Sequence, residues 1–283
     1  MLKGKAKPEE LAKIRRSFEI IGDVVVIDVP DEVLHLKDEI VKAILAKHKH
    51  VKTILRKVGE VDGIFRVARY EAIYGSETET VAKEHGCRFY VDPTKVYYSV
   101  KLSGERERIA RLVKPGERVL VMFAGVGPYA IVIARLSEAK EIVGVEINPT
   151  AVEYFKRNVE LNKVADRVKV VEGDVREAIP KLPGLFDRIV MPSPYIAQNF
   201  VDVAAEKVRD GGYIHYYTFA GEEEEEELPE KVKKLFLEHG VDVEVELLRE
   251  CGNYAPRVNR YVLDLKVRSR TTSTYSVKHQ SQK

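Results

Sequence analysis

Three short segments of this chain carry residue types whose spacing suits a bound nucleoside. Phe123-Ala124-Gly125-Val126-Gly127-Pro128 follows an apolar run and precedes a helical pattern. Its two glycines permit a tight turn and a close approach of backbone to a ligand. Glu146 ends the next apolar run, about twenty positions on, where an acid can accept hydrogen bonds from both hydroxyls of a ribose and disfavours a phosphorylated one. Asp174, in Glu172-Gly173-Asp174-Val175-Arg176, is a further acceptor, suited to an exocyclic adenine amine. Taken singly, the glycine pair is also a plain strand-to-helix turn and each acid a surface residue. The three together are far more specific. The turn lacks the third glycine of the dinucleotide fingerprint, and Pro128 stands where that pattern continues, so the set suits S-adenosylmethionine better than NAD.

Such residues need a scaffold that delivers strand ends to one edge. From about residue 104 onward, helical and strand patterns alternate strictly. Strands are predicted over 118–123, 141–146, 168–172, 188–191 and 212–217, with helices over 105–112, 129–136, 150–162, 199–208 and 228–239. That alternation implies a doubly wound parallel sheet with ligands at the carboxyl ends of its strands. Two last strands, 241–248 and 261–267, would add a reversed hairpin and complete a seven-stranded Rossmann-like sheet. Before it, a strand Asp23–Ile27 within 18–29, bounded by Gly22 and Pro30, and strands over 51–57, 63–74 and 87–92 around a helix over 32–49 read as a small α/β unit. The expected division is a basic segment 1–17, a small α/β domain 18–98, a cofactor-binding catalytic domain 99–268 and a polar, disordered tail 269–283.

With 45% hydrophobic and 33% charged residues over 283 positions, the chain is globular. Cys87 and Cys251 are its only cysteines, which excludes a disulfide framework and a four-cysteine zinc site; no metal is expected. It has no apolar run of spanning length and no secretory h-region after Met1, so a cytoplasmic location is the default and no membrane partner is expected. Trp is absent, so any stacking falls to Tyr or Phe. The net charge of +2 conceals clusters: basic residues over 3–16 and 47–57, set against the acidic run 222–227. Each alone is a solvated surface; two basic clusters in the N-terminal third favour a polyanionic partner.

The segments Phe123–Pro128, Glu146-Ile147-Asn148-Pro149, Gly173–Glu177 and Ile214-His215-Tyr216-Tyr217-Thr218 together resemble one family of class I methyltransferases, the archaeal and eukaryotic tRNA guanine-37 N1-methyltransferases. The wybutosine-synthesising aminocarboxypropyltransferases are its sister group. The likeness covers about residues 18–268, and the family's extra N-terminal tRNA-contacting domain is expected to be absent. It implies S-adenosylmethionine as cofactor, held by Ser99, Arg106, Phe123, Gly125, Gly127, Glu146, Ile147, Asp174, Val175 and Pro192, with Arg106 a fork for the methionine carboxylate. It implies Glu105 as general base and Arg66, in Gly63-Ile64-Phe65-Arg66, as a group near the target base. Tyr97, Ser193 and Tyr195 would face the substrate, the anticodon stem-loop of a tRNA, and the protein is expected to act as a monomer. Without the likeness, residues 105–108 read as a helix start with alternating charges.

One motif departs from the family. The methyltransferases carry an asparagine after the fourth strand, whereas this chain has Met191-Pro192-Ser193-Pro194-Tyr195. Proline supplies neither a side-chain donor nor a backbone N–H, and the aminocarboxypropyltransferases also lack the asparagine, so this motif does not speak for methyl transfer. The other four segments do. Three functions therefore stand: N1-methylation of guanosine 37, aminocarboxypropyl transfer to a modified guanosine, and RNA binding without catalysis.

Overall fold

A computed structural model of the chain describes residues 7–13, 18–59 and 68–271. In chain order its elements begin with α1 (Pro8–Lys13), β1 (Phe18–Ile21), β2 (Val24–Ile27), α2 (Lys37–Lys47), β3 (Thr53–Lys57), β4 (Tyr70–Tyr74), β5 (Thr80–Glu84), β6 (Cys87–Val91) and α3 (Ser103–Leu112). They continue with β7 (Arg118–Val121), α4 (Pro128–Leu136), β8 (Glu141–Glu146), α5 (Pro149–Leu161), β9 (Val168–Glu172) and α6 (Val175–Ala178). The last are β10 (Phe186–Met191), α7 (Val201–Lys207), β11 (Val208–Gly221), α8 (Leu228–Glu238), β12 (Val241–Ala255) and β13 (Val258–Arg270). The chain forms two compact units, residues 1–116 with 123–174 and residues 117–122 with 175–283. The seven-stranded sheet has the order β12-β13-β11-β10-β7-β8-β9, the seven strands expected from the alternation and the final hairpin together.

In the first unit, β2 is the strand expected within 18–29, and β1 precedes it across Gly22. Gly22 takes φ +57° and turns the chain so that Ile21 pairs with Val24. A Cβ there would meet Thr80 Oγ1 at 2.1 Å, so the turn admits only glycine. β3 adds parallel to β2 and β4 antiparallel to β3. Val25, Ile27, Ile40, Ile44 and Ile54 form the core beneath this sheet. The first turn of the predicted helix, Asp31–Leu36, is a 3-10 turn that precedes α2. A hairpin of β5 and β6 turns at His85-Gly86, both left-handed, as a two-residue hairpin requires.

β6 has a second set of partners. Asn158 Oδ1 accepts from the Tyr90 amide at 2.7 Å and its Nδ2 donates to the Tyr90 carbonyl; Asn162 does the same for Arg88, its Oδ1 accepting at 2.9 Å. Four residues apart, in α5 and at its C-cap, the two amides stand in for a neighbouring strand. Asn158 Nδ2 also reaches the Val126 carbonyl at 3.1 Å and so ties the glycine turn to this edge.

In the second unit, β7 and β11 flank β10 in parallel, while β13 runs antiparallel to both β11 and β12. Its buried polar chain runs Glu117, Arg188, His215, Asp264: Arg188 Nε donates to Glu117 at 2.8 Å and Nη1 reaches His215 Nε2 at 2.7 Å, with His215 Nδ1 2.6 Å from Asp264. A guanidinium only donates, so His215 Nε2 accepts and its Nδ1–H donates to Asp264. Within the Ile214–Thr218 segment, His215 is thus a buried structural residue. The final hairpin extends to residue 255 on one strand and from 258 on the other, longer than its apolar pattern predicts.

Candidate active site

The glycine turn leaves β7 through three residues in the left-handed region: Phe123 at φ +53°, Gly125 at +57° and Gly127 at +88°. The two glycines serve different ends. A Cβ on Gly127 would lie 2.1 Å from the Phe155 ring, so this glycine lets α5 pack against the turn. A Cβ on Gly125 would meet only the Tyr97 carbonyl, at 3.9 Å; Gly125 exposes backbone on an open side, the cradle that a ligand needs. Pro128 opens α4, where its missing N–H costs nothing.

Glu146 closes the turn. Its Oε2 accepts from the Gly125 amide at 2.7 Å and its Oε1 from the Asn148 amide at 2.8 Å. Burial pushes its carboxyl above the ordinary range, against the pull of the Asn148, Gly125 and Ile147 amides. Each oxygen retains lone-pair capacity for a hydroxyl donor. The next side chain, Ile147, is 39% exposed and offers an apolar face beside that carboxylate. Gly173 N–H bonds the Glu146 carbonyl at 2.9 Å, which sets half-buried Asp174 just past the ends of β8 and β9.

The segment before α3 is rooted by a buried ion pair. Arg106 Nε and Nη2 donate to Glu84 Oε1 and Oε2 at 2.7 and 2.5 Å, Nη2 also reaches the Ser99 carbonyl at 3.0 Å, and the Tyr98 hydroxyl joins Glu84 at 3.1 Å. Nε and Nη2 of Arg106 are thus engaged by a carboxylate of the chain itself and by the Ser99 carbonyl, so the side chain anchors Ser99. Glu105 is buried and bound by both Arg108 Nε, at 2.9 Å, and Nη2, at 2.7 Å. Tyr97 is 56% exposed. With Ser99 it borders a cavity of about 220 Å³ that also takes in Glu19, Lys57 and Tyr70. Burial, then the charges of Glu19 and the nearby Tyr97, raise the Tyr70 hydroxyl pKa. Glu19, Lys57 and Tyr70 escape sequence reasoning because they lie in three separate strands with no motif between them.

In the second unit, Val175 is buried at the start of α6, and Pro192 and Ser193 are half-buried after β10. The Ser193 carbonyl accepts from the Ile196 and Ala197 amides at 3.2 and 2.9 Å. Tyr195 packs edge-on to Phe219 with ring centroids 4.6 Å apart. Arg66 lies outside the described residues, as do residues 272–283 of the expected tail. Among the described residues no helix is long and apolar enough to cross a membrane.

Comparison with known proteins supplies the family. Residues 80–248 match the TRM5/TYW2 methyltransferase domain and residues 1–78 the TYW2 N-terminal domain, so the small α/β region has a counterpart of its own. The chain is 38% identical over 263 residues to the tRNA (guanine(37)-N(1))-methyltransferase Trm5b of Pyrococcus abyssi, covering 92% of this chain and 78% of that protein. It is 36% identical to the tRNA(Phe) (4-demethylwyosine(37)-C(7)) aminocarboxypropyltransferase of Pyrococcus horikoshii, covering 93% of this chain and 94% of that protein. Its fold superposes on aTrm5 from the complex with tRNALeu with a TM-score of 0.82 at 36% identity, over 94% of this chain and 76% of that one. A glycine cradle latched by a strand-end glutamate, on this strand order and with these relatives, makes the chain a member of the TRM5/TYW2 methyltransferase family.

Proposed function

We propose that this protein is an S-adenosylmethionine-dependent tRNA methyltransferase that forms N1-methylguanosine at position 37 of the anticodon loop. The observation that carries the reading is the Gly125–Glu146 latch: open backbone at Gly125, a carboxylate with spare acceptor capacity and an exposed apolar side chain at Ile147 fit the ribose and adenine of that cofactor. When bound, S-adenosylmethionine supplies an electrophilic methyl on a sulfonium. Guanine N1 bears a proton at neutral pH, so the protein must take that proton as the new N–C bond forms. Glu105 is the carboxylate assigned to this; the two bonds from Arg108 fix its orientation. Arg66 is assigned to the charge that develops on O6, and Tyr97, Ser193 and Tyr195 to the base, which must leave its stack to be reached. A cytoplasmic monomer is the working assignment.

Aminocarboxypropyl transfer is the second reading. Pro192 in place of an asparagine favours it. One experiment separates the readings: incubate the protein with isotopically labelled S-adenosylmethionine and either unmodified tRNA or tRNA carrying 4-demethylwyosine, digest to nucleosides and weigh them. A methyl on N1 of guanosine supports the first; the larger group on the tricyclic base replaces it with the second; no transfer to either leaves RNA binding alone.

A further inference from the structure

The second unit carries an exposed aromatic cluster of which the proposed chemistry uses only one ring. Phe219 in β11 and Tyr254 near the end of β12 stack, centroids 4.3 Å apart and planes 28° apart. Tyr195, after β10, meets both edge-on at 4.6 and 5.3 Å. The pairing directions make β10, β11 and β12 run the same way, so the cluster sits toward their carboxyl ends, the edge that takes ligands in such sheets. Tyr254 is 53% exposed and Tyr195 37%. Rings of this size usually bury their faces, and grouped exposed ones mark a binding site.

Charge around the cluster narrows the ligand. Arg260 lies opposite Phe219 in the β11–β13 register, its guanidinium 5.6 Å from that ring. Its Nε is buried and has no hydrogen-bond partner among the described residues. The acidic run begins alongside: the Glu222 amide donates to the Arg257 carbonyl and Glu225 accepts from the Tyr261 hydroxyl. Those carboxylates oppose a groove that tracks phosphates. What remains is a single flat ring held by stacking, as aromatic platforms hold the bases of single strands.

We propose that Tyr254, backed by Phe219 and Tyr195, is a stacking platform for one unpaired anticodon-loop base beside the base that is modified; this rests on the tRNA substrate proposed above. The Tyr254-Ala255-Pro256-Arg257 tip presents the ring, with Arg257 at φ +61° turning the chain back into β13. The chain has no tryptophan, so Tyr254→Trp installs a single reporter whose emission a stacked base quenches. With the full chain and a fluorescein-labelled anticodon stem-loop, anisotropy reads RNA binding, tryptophan emission with unlabelled RNA reads stacking, and calorimetry reads S-adenosylmethionine affinity. The platform predicts saturable quenching with the anisotropy midpoint. It also predicts that Tyr254→Ala weakens RNA binding about 5- to 100-fold, that Tyr254→Phe binds as wild type, and that cofactor affinity is equal in all. Unquenched emission with RNA bound, or Tyr254→Ala binding as tightly as wild type, overturns the platform alone. A stem-loop that does not bind the wild-type protein overturns the tRNA reading and the platform with it.

Discussion

Glu105 is where one side chain decides the proposed chemistry. Its carboxylate is buried and held by Arg108 in a two-point bond, so Glu105→Gln keeps the shape and one of the two Arg108 bonds while removing the base. Turnover is expected to fall about 10²- to 10⁴-fold with S-adenosylmethionine affinity nearly unchanged; single-turnover kinetics and calorimetry measure the two, and equal losses in both would remove Glu105 from the role. Its neighbour shows where reading from sequence stops. The family likeness marks Arg106 as a cofactor-site residue, and the type is apt, but Glu84 lies 22 positions upstream on a hairpin that the apolar pattern does not announce. Which carboxylate fills an arginine fork is decided by tertiary distance. Arg106→Ala is therefore expected to destabilise the fold by about 3–5 kcal/mol, the cost of leaving Glu84 buried and unpaired, as urea denaturation would read; a change confined to cofactor affinity would favour the ligand role.

Among elements, the latch depends on α5 as much as on the turn that sequence reading singles out. Gly125, Gly127 and Glu146 were legible because strand, bend and acid recur at a fixed spacing. The asparagines in α5 and at its C-cap were not: Asn158 and Asn162 read as ordinary polar positions of a helix, and only the fold shows them completing the open edge of β6, with Asn158 gripping Val126. Asn158→Ala strips the Tyr90 amide and the Tyr90 and Val126 carbonyls of a partner at a fully buried site. A loss of about 2–4 kcal/mol is expected, together with weaker S-adenosylmethionine binding as the turn loosens. Gly127→Ala is expected to be harsher on folding, since the new methyl meets Phe155 at 2.1 Å on a backbone at φ +88°. Gly125→Ala, facing open space, should spare stability more and reduce cofactor affinity; the reverse ranking of the two variants in thermal melts would show that the open side of the turn has been misidentified.

Over the whole molecule, charge was legible as composition but not as availability. The basic stretch 47–57 holds Lys47, Lys49, Lys52, Arg56 and Lys57, yet two of these cations are engaged within the chain. Lys52 pairs with Asp23 at 2.9 Å, and Arg56, only 8% exposed, clasps Asp31 and Glu71 at 2.6 Å each. A guanidinium held this way contributes to the fold and little to a phosphate. Lys47 and Lys49 are exposed at the end of α2 and are placed to meet a polyanion. Binding of tRNA is governed by counterion release, so the slope of log K against log salt counts the cations that touch phosphates, roughly 0.7 to 0.9 per contact. Lys49→Gln is expected to lower that slope by about one contact and weaken binding to all tRNAs alike. Arg56→Gln is expected to leave the slope as it is and to lower thermal stability, through the unpaired Asp31 and Glu71. Anisotropy titrations of labelled tRNA over a series of KCl concentrations give both slopes; if Arg56→Gln flattens the slope and Lys49→Gln does not, the phosphate contacts lie on the buried side of β3 and the assignment of this surface is reversed.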